Sequence, residues 1–146
     1  MLKLLVVCAF SVFALQASAK DGIIYKTNAG IHFINGGIGE EQATDIRRIA
    51  SNFLLQLQFT GGEEGGWLTD VSVLIIDSNG KTAFRKQTGG PLLYIDLPAG
   101  DYQIVGKYHE AKQSVRITLT GDVPQKVILN WKDETEITAE DSAQVE

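Results

Sequence analysis

The stretch that most limits what this chain can fold into is residues 91–105, Pro-Leu-Leu-Tyr-Ile-Asp-Leu-Pro-Ala-Gly-Asp-Tyr-Gln-Ile-Val. Leu93, Ile95 and Leu97 recur at the period of two that a half-buried strand requires. Pro98 has the fixed φ of a turn residue and Gly100 tolerates a left-handed backbone, so the two arms read as a bulged β-hairpin. Tyr102 and Ile104 then face the same way as the first arm's apolar set. A hairpin alone is marginal in water, so other strands must cover it.

Those strands are legible on either side. Phe53, Leu55, Leu57 and Phe59 alternate with polar neighbours, and Val71, Val73 and Ile75 alternate with Leu74 and Ile76, apolar on both faces. Asp77-Ser78-Asn79-Gly80 turns the chain into a strand carrying Phe84 inward. Val115, Ile117 and Leu119, and then Val127, Leu129 and Trp131, complete the set. Short strands about ten residues apart, with turn signals between them, predict a mainly β fold, an antiparallel β-sandwich of the seven-stranded type.

One helix interrupts the pattern at residues 40–52. Ala43, Ile46, Ile49, Ala50 and Phe53 form an apolar stripe at helical spacing. Glu40 and Glu41 fall in the first turn and Arg47 and Arg48 near the end, where the helix dipole favours them. The glycine-rich lead-in, Asn35-Gly36-Gly37-Ile38-Gly39, resembles a phosphate loop only superficially. Two carboxylates stand where the phosphate would sit.

The ends differ from the body. Lys3, the apolar residues 4–15 and the small residues Ala17-Ser18-Ala19 have the form of a cleaved export signal over residues 1–19. The apolar run is well short of the roughly 20 residues of a spanning helix. With that leader removed, the domain is residues 20–131, and no membrane span is expected. The remaining chain has no cysteine, so disulfides and thiolate chemistry are excluded and a periplasmic or secreted protein must rely on its core. Residues 132–146 set Lys132 against Asp133, Glu134, Glu136, Glu140, Asp141 and Glu146. This segment reads as a solvated, disordered acidic tail. The body is close to neutral, and no basic stripe is evident along it, so nucleic acid is not an expected partner.

From Trp67 to Trp131 the chain resembles the carboxypeptidase regulatory-like, or transthyretin-like, β-sandwich. The residues that carry the likeness are Val71-Ser-Val-Leu-Ile-Ile-Asp-Ser-Asn-Gly80, Leu97-Pro-Ala-Gly-Asp-Tyr-Gln-Ile104 and Val115-Arg-Ile-Thr-Leu119. The whole chain is also similar to small exported bacterial proteins of unknown function. The first resemblance implies a prealbumin-like sandwich and no particular activity, and the second implies a periplasmic setting.

Chemistry is sparse. His32 and His109 are the only histidines, with no cysteine to complete a zinc site, so no metal or other cofactor is expected. Asp77-Ser78-Asn79-Gly80 lacks the bidentate glutamate of a calcium loop, since Thr88 stands eleven residues on. No serine occupies a nucleophile elbow. These absences favour a non-catalytic binding or accessory module with a protein or envelope partner. A small enzyme using His32 or His109 with a neighbouring carboxylate needs the two histidines in one cleft, and a chaperone-like factor needs an open sheet edge. With Leu93, Ile95 and Leu97 inward, Tyr94 and Val105 are expected on the outer face as a partly open partner-binding patch. The short helix is expected to cover part of that face, though not the hairpin arm.

Overall fold

Two sheets share out the alternating segments. The computed structural model describes residues 30–132 and the backbone of residues 25–26; the expected leader and residues 133–146 lie outside the described residues. In chain order the elements are β1 (Tyr25–Lys26), β2 (His32–Gly36), α1 (Glu40–Arg48), a 3-10 turn (Ala50–Asn52), β3 (Leu55–Gly61) and β4 (Gly66–Trp67). They continue with β5 (Ser72–Asp77), β6 (Thr82–Gln87), β7 (Leu92–Ile95), β8 (Gly100–Tyr108), β9 (Ala111–Leu119) and β10 (Gln125–Trp131). A six-stranded sheet runs β1-β2-β7-β3-β10 with β4 beside β3, and a four-stranded sheet runs β6-β5-β8-β9. The fold is mainly β, in a sandwich-like arrangement with one helix. One ladder departs from the antiparallel expectation: β10 pairs with β3 in parallel, Leu57 opposite Val127.

The core lies between the sheets. Leu55, Leu57 and Phe59 of β3 and Leu93 and Ile95 of β7 meet Val73, Ile75, Phe84 and Ile104 from the other sheet. Phe33 and Phe84 close the interface edge to face at 5.2 Å. Gly106 is needed for closure at the far end. A Cβ there would lie 2.9 Å from both Leu129 Cδ1 and Trp131 Cη2, so only a bare backbone admits the indole.

Helix α1 covers the other face of the six-stranded sheet. Ala43 and Ile46 bury against Ile34, Leu92 and Tyr94, with Phe53 in the same cluster. Strand β7 is therefore buried on both faces, as its continuous Leu-Leu-Tyr-Ile sequence requires. The first turn of α1 has no side-chain cap at Gly39. Instead Gln42 Oε1 reaches back and accepts from the Gly37 N–H (2.7 Å) and the Ile38 N–H (3.0 Å). Two backbone donors of the glycine-rich loop are thus already taken.

Two expectations are corrected. The hairpin over residues 91–105 does not form, because β7 pairs with β2 and β3 whereas β8 pairs with β5 and β9. Residues 96–99 carry the chain from one sheet to the other. Alternation and a turn signal look the same whether the second arm returns along the first or crosses a sandwich. Phe53, expected both in the helical stripe and on the face of Leu55, packs under the helix and not with Leu55, because a bend at Leu54 separates it from β3. The Asp77–Gly80 segment is the expected hairpin turn, with Asp77 Oδ1 accepting from the backbone N–H groups of Asn79 and Lys81.

The crossing is fixed locally. The Tyr102 hydroxyl donates to the Pro98 carbonyl at 2.8 Å, a tyrosine corner, and Gly100 holds φ +155°. Gly100→Val is expected to lower stability by about 1–3 kcal/mol through backbone strain. Tyr102→Phe, which loses only the hydrogen bond, should cost about 0.5–1.5 kcal/mol. Urea unfolding of the two variants checks both values, and a Gly100→Val midpoint equal to the parent's would refute the strain.

Candidate functional site

The two residues named for a partner patch do not meet. Tyr94 is 4% exposed, on the outer face of the six-stranded sheet beneath α1, with its ring 6.3 Å from Phe53. Burial raises the Tyr94 phenol above its ordinary pKa, partly opposed by the Arg47 guanidinium. Val105 is half-buried on the outer face of the four-stranded sheet, opposite Leu74 and Ser114. The chain changes sheets between them, so the two side chains face opposite sides of the molecule. The helix reaches the arm it was expected to leave open and covers Tyr94 there, because β7 lies in the sheet under α1.

What stays uncovered is the outer face around Val105. Strand alternation sends Ser72, Leu74 and Ile76 of β5, Gln103, Val105 and Lys107 of β8, and Lys112, Ser114 and Arg116 of β9 to this side. Cross-strand pairing makes one row of Arg85, Leu74, Val105 and Ser114, and the next of Thr82, Ile76, Gln103 and Arg116. Leu74, Ile76 and Val105 are half-buried and belong to neither hydrophobic cluster of the fold. They form a small aliphatic centre on a sheet surface that nothing among the described residues covers.

Around this centre cations outnumber carboxylates. Arg85, Lys107, Lys112 and Arg116 surround it, against Asp101 on the same face, Glu110 beside Lys107 and Asp77 at one end. Asp101 is engaged, accepting from the Thr118 hydroxyl at 2.6 Å. Lys107 lies 3.8 Å from Glu110, an exposed pair of little energetic weight. Among the described residues, Arg85, Lys112 and Arg116 have no ion pair. At one end the face sinks into a cavity of about 580 Å³ whose lining includes Ile76, Asp77, Asp101, Gln103, Arg116 and Thr118. Asp77 is occupied by its own turn, Asp101 by the Thr118 hydroxyl and Gln103 by Ser114, which leaves Arg116 as the charged side chain of the lining without a hydrogen bond or ion pair among the described residues. An arginine fork beside aliphatic side chains suits a carboxylate or similar anion with an apolar neighbour.

The histidines lie apart. His32 is exposed at the end of the six-stranded sheet where Asp96 donates to its carbonyl. His109 sits in the β8–β9 turn at φ +51°, its ring edge-on to Tyr108 at 4.2 Å. Tyr108 contacts Trp131, at the opposite end of that sheet from His32, so no cleft holds both. Among the described residues no three His, Cys, Asp or Glu side chains are placed to share a metal ion, and no helix is long and apolar enough to cross a membrane.

A second exposed patch lies where α1 ends. Trp67 is 41% exposed with the Arg47 guanidinium 5.1 Å from its ring centre, and Ile128 is 53% exposed two strands away. Neither this patch nor the basic face was evident from the sequence. The signal for the basic face was present in Lys112, Ser114, Arg116 and Thr118, polar at every second position of one strand. Which sheet that strand joined was not. Comparison of the chain with protein-family models finds no match, and comparison with curated proteins finds none either.

Proposed function

We propose that this is an exported, non-catalytic binding module that engages an anionic, partly apolar partner through the open face of the four-stranded sheet. The observation that carries this reading is the placement of Leu74, Ile76 and Val105. They lie outside both cores, ringed by Arg85, Lys107, Lys112 and Arg116, and the nearby carboxylates of Asp77 and Asp101 are engaged in hydrogen bonds. Aliphatic side chains in such a place serve a partner better than they serve the fold. The separation of His32 from His109 supports a binding role over the enzyme alternative. The export-signal pattern of residues 1–19 supports a periplasmic or secreted setting. A chaperone-like use of the β10 edge is less well supported, since Gln113 Nε2 donates to the Asn130 carbonyl there.

The test uses two labelled peptides, one alternating Glu and Val and one alternating Lys and Val, followed by fluorescence anisotropy at low salt. The chain is expected to bind the acidic peptide and not the basic one. Arg85→Glu with Arg116→Glu should weaken acidic-peptide binding at least tenfold without lowering the thermal midpoint by more than a few degrees. Equal binding of both peptides, or an unchanged affinity in the double variant, would overturn the reading.

A further inference from the structure

We infer that the basic face has an occupant within the same chain: residues 133–141 dock in cis along the free edge of β9, Glu136 against Lys112 and Glu140 against Arg116. The inference rests on the reading of this face as an anion-binding surface and adds the identity of its first ligand.

Three observations support it. The first is where the acidic segment begins. Trp131, the last residue of β10, donates its indole N–H to the Ala111 carbonyl at 3.1 Å, so the chain leaves the sandwich beside the first residue of β9. The second is the state of β9. It is the outer strand of its sheet, nine residues long, with β8 on one side and no strand of the described residues on the other. A long free edge is a template for an added strand.

The third is the match of charge and spacing. Lys112 and Arg116 are four residues apart and point outward from the same strand, with no ion pair among the described residues. Glu136 and Glu140 are also four residues apart in a segment with six carboxylates after Lys132. Two extended segments running the same way at about 3.3 Å per residue keep both pairs in step. The direction is the required one. β10 ends where β9 begins, so a chain that turns back there runs parallel to β9. Residues 132–135 are long enough for that turn, about 13 Å when extended.

The experiment is zero-length carbodiimide cross-linking of the full chain, read by mass spectrometry on an equimolar mixture of unlabelled and isotope-labelled protein. Amide links from Lys112 to Glu134 or Glu136 are expected, within single chains, at several times the frequency of links from Lys81 or Lys126 to the same carboxylates. Arg116→Glu should reduce the Lys112 links at least threefold, and adding Glu140→Arg should restore them. Links no more frequent than the Lys81 and Lys126 background would overturn the inference, as would links confined to pairs of chains. The acidic Glu-Val peptide separates this inference from the one beneath it. If the peptide binds the parent chain but Glu136→Gln with Glu140→Gln does not raise its affinity, the docked segment is refuted while the binding face stands. If neither chain binds it, the face is not a site for partners.

Discussion

Tyr94→Ser is expected to be among the most damaging single changes outside the intersheet core. The ring is 4% exposed and packs with Ile34, Ile46, Phe53 and Leu92 between helix and sheet. Removing a buried aromatic ring of this kind costs about 3–5 kcal/mol. For a domain of this size that lowers the thermal midpoint by roughly 10 °C or more. Val105→Ser is the paired measurement. Val105 is half-exposed and outside both clusters, so its loss should stay within about 1 kcal/mol. If the two variants melt together, the helix does not cover Tyr94 as described.

Gly90→Ala is expected to do comparable harm for an unrelated reason. A Cβ at residue 90 would sit 2.3 Å from the Gly36 carbonyl oxygen and 2.5 Å from its carbon. Those atoms are backbone in β2, which is held to β7 by the ladder that ends at Gly36 and Leu92, so they cannot swing aside. Asn35 binds the same place more tightly, donating to the carbonyls of Gly90 and Leu92 and accepting from the Gly89 N–H. The cost should reach the top of the overpacking range, about 3 kcal/mol. Gly89→Ala is the control, because the added methyl would meet only Asn35 Oδ1 at 3.8 Å. Urea titration of the neighbouring pair separates a local clash from a general need for glycine.

The strands and the helix were legible because each follows a period that burial imposes within a few residues. Val71, Val73 and Ile75 are buried as their alternation requires, and the stripe of α1 buries Ala43 and Ile46. What local pattern does not encode is which sheet a strand joins. Leu97, Pro98 and Gly100 carry the same signals for a tight return as for a crossing, and the choice is made by β3 and β5 elsewhere in the chain. The error at the site follows from that one. With both arms placed in a single sheet, Tyr94 and Val105 shared a face that the helix covered only in part, short of the arm. With the arms in different sheets, the helix covers one face and leaves the other, with its cations, open.

The parallel pairing of β10 with β3 also sets the order in which the molecule can be made. Leu57 waits for Val127, about 70 residues later, and the whole ladder from Leu55 to Gly61 waits with it. During synthesis every other long strand leaves the ribosome before β10, yet one flank of β3 stays without a neighbour until β10 arrives. Closing so large a loop is slow, and it concentrates the rate-limiting search at the last step. A chain that stops before residue 125 therefore leaves that flank of β3, with its alternating apolar side chains, lacking the strand that pairs with it.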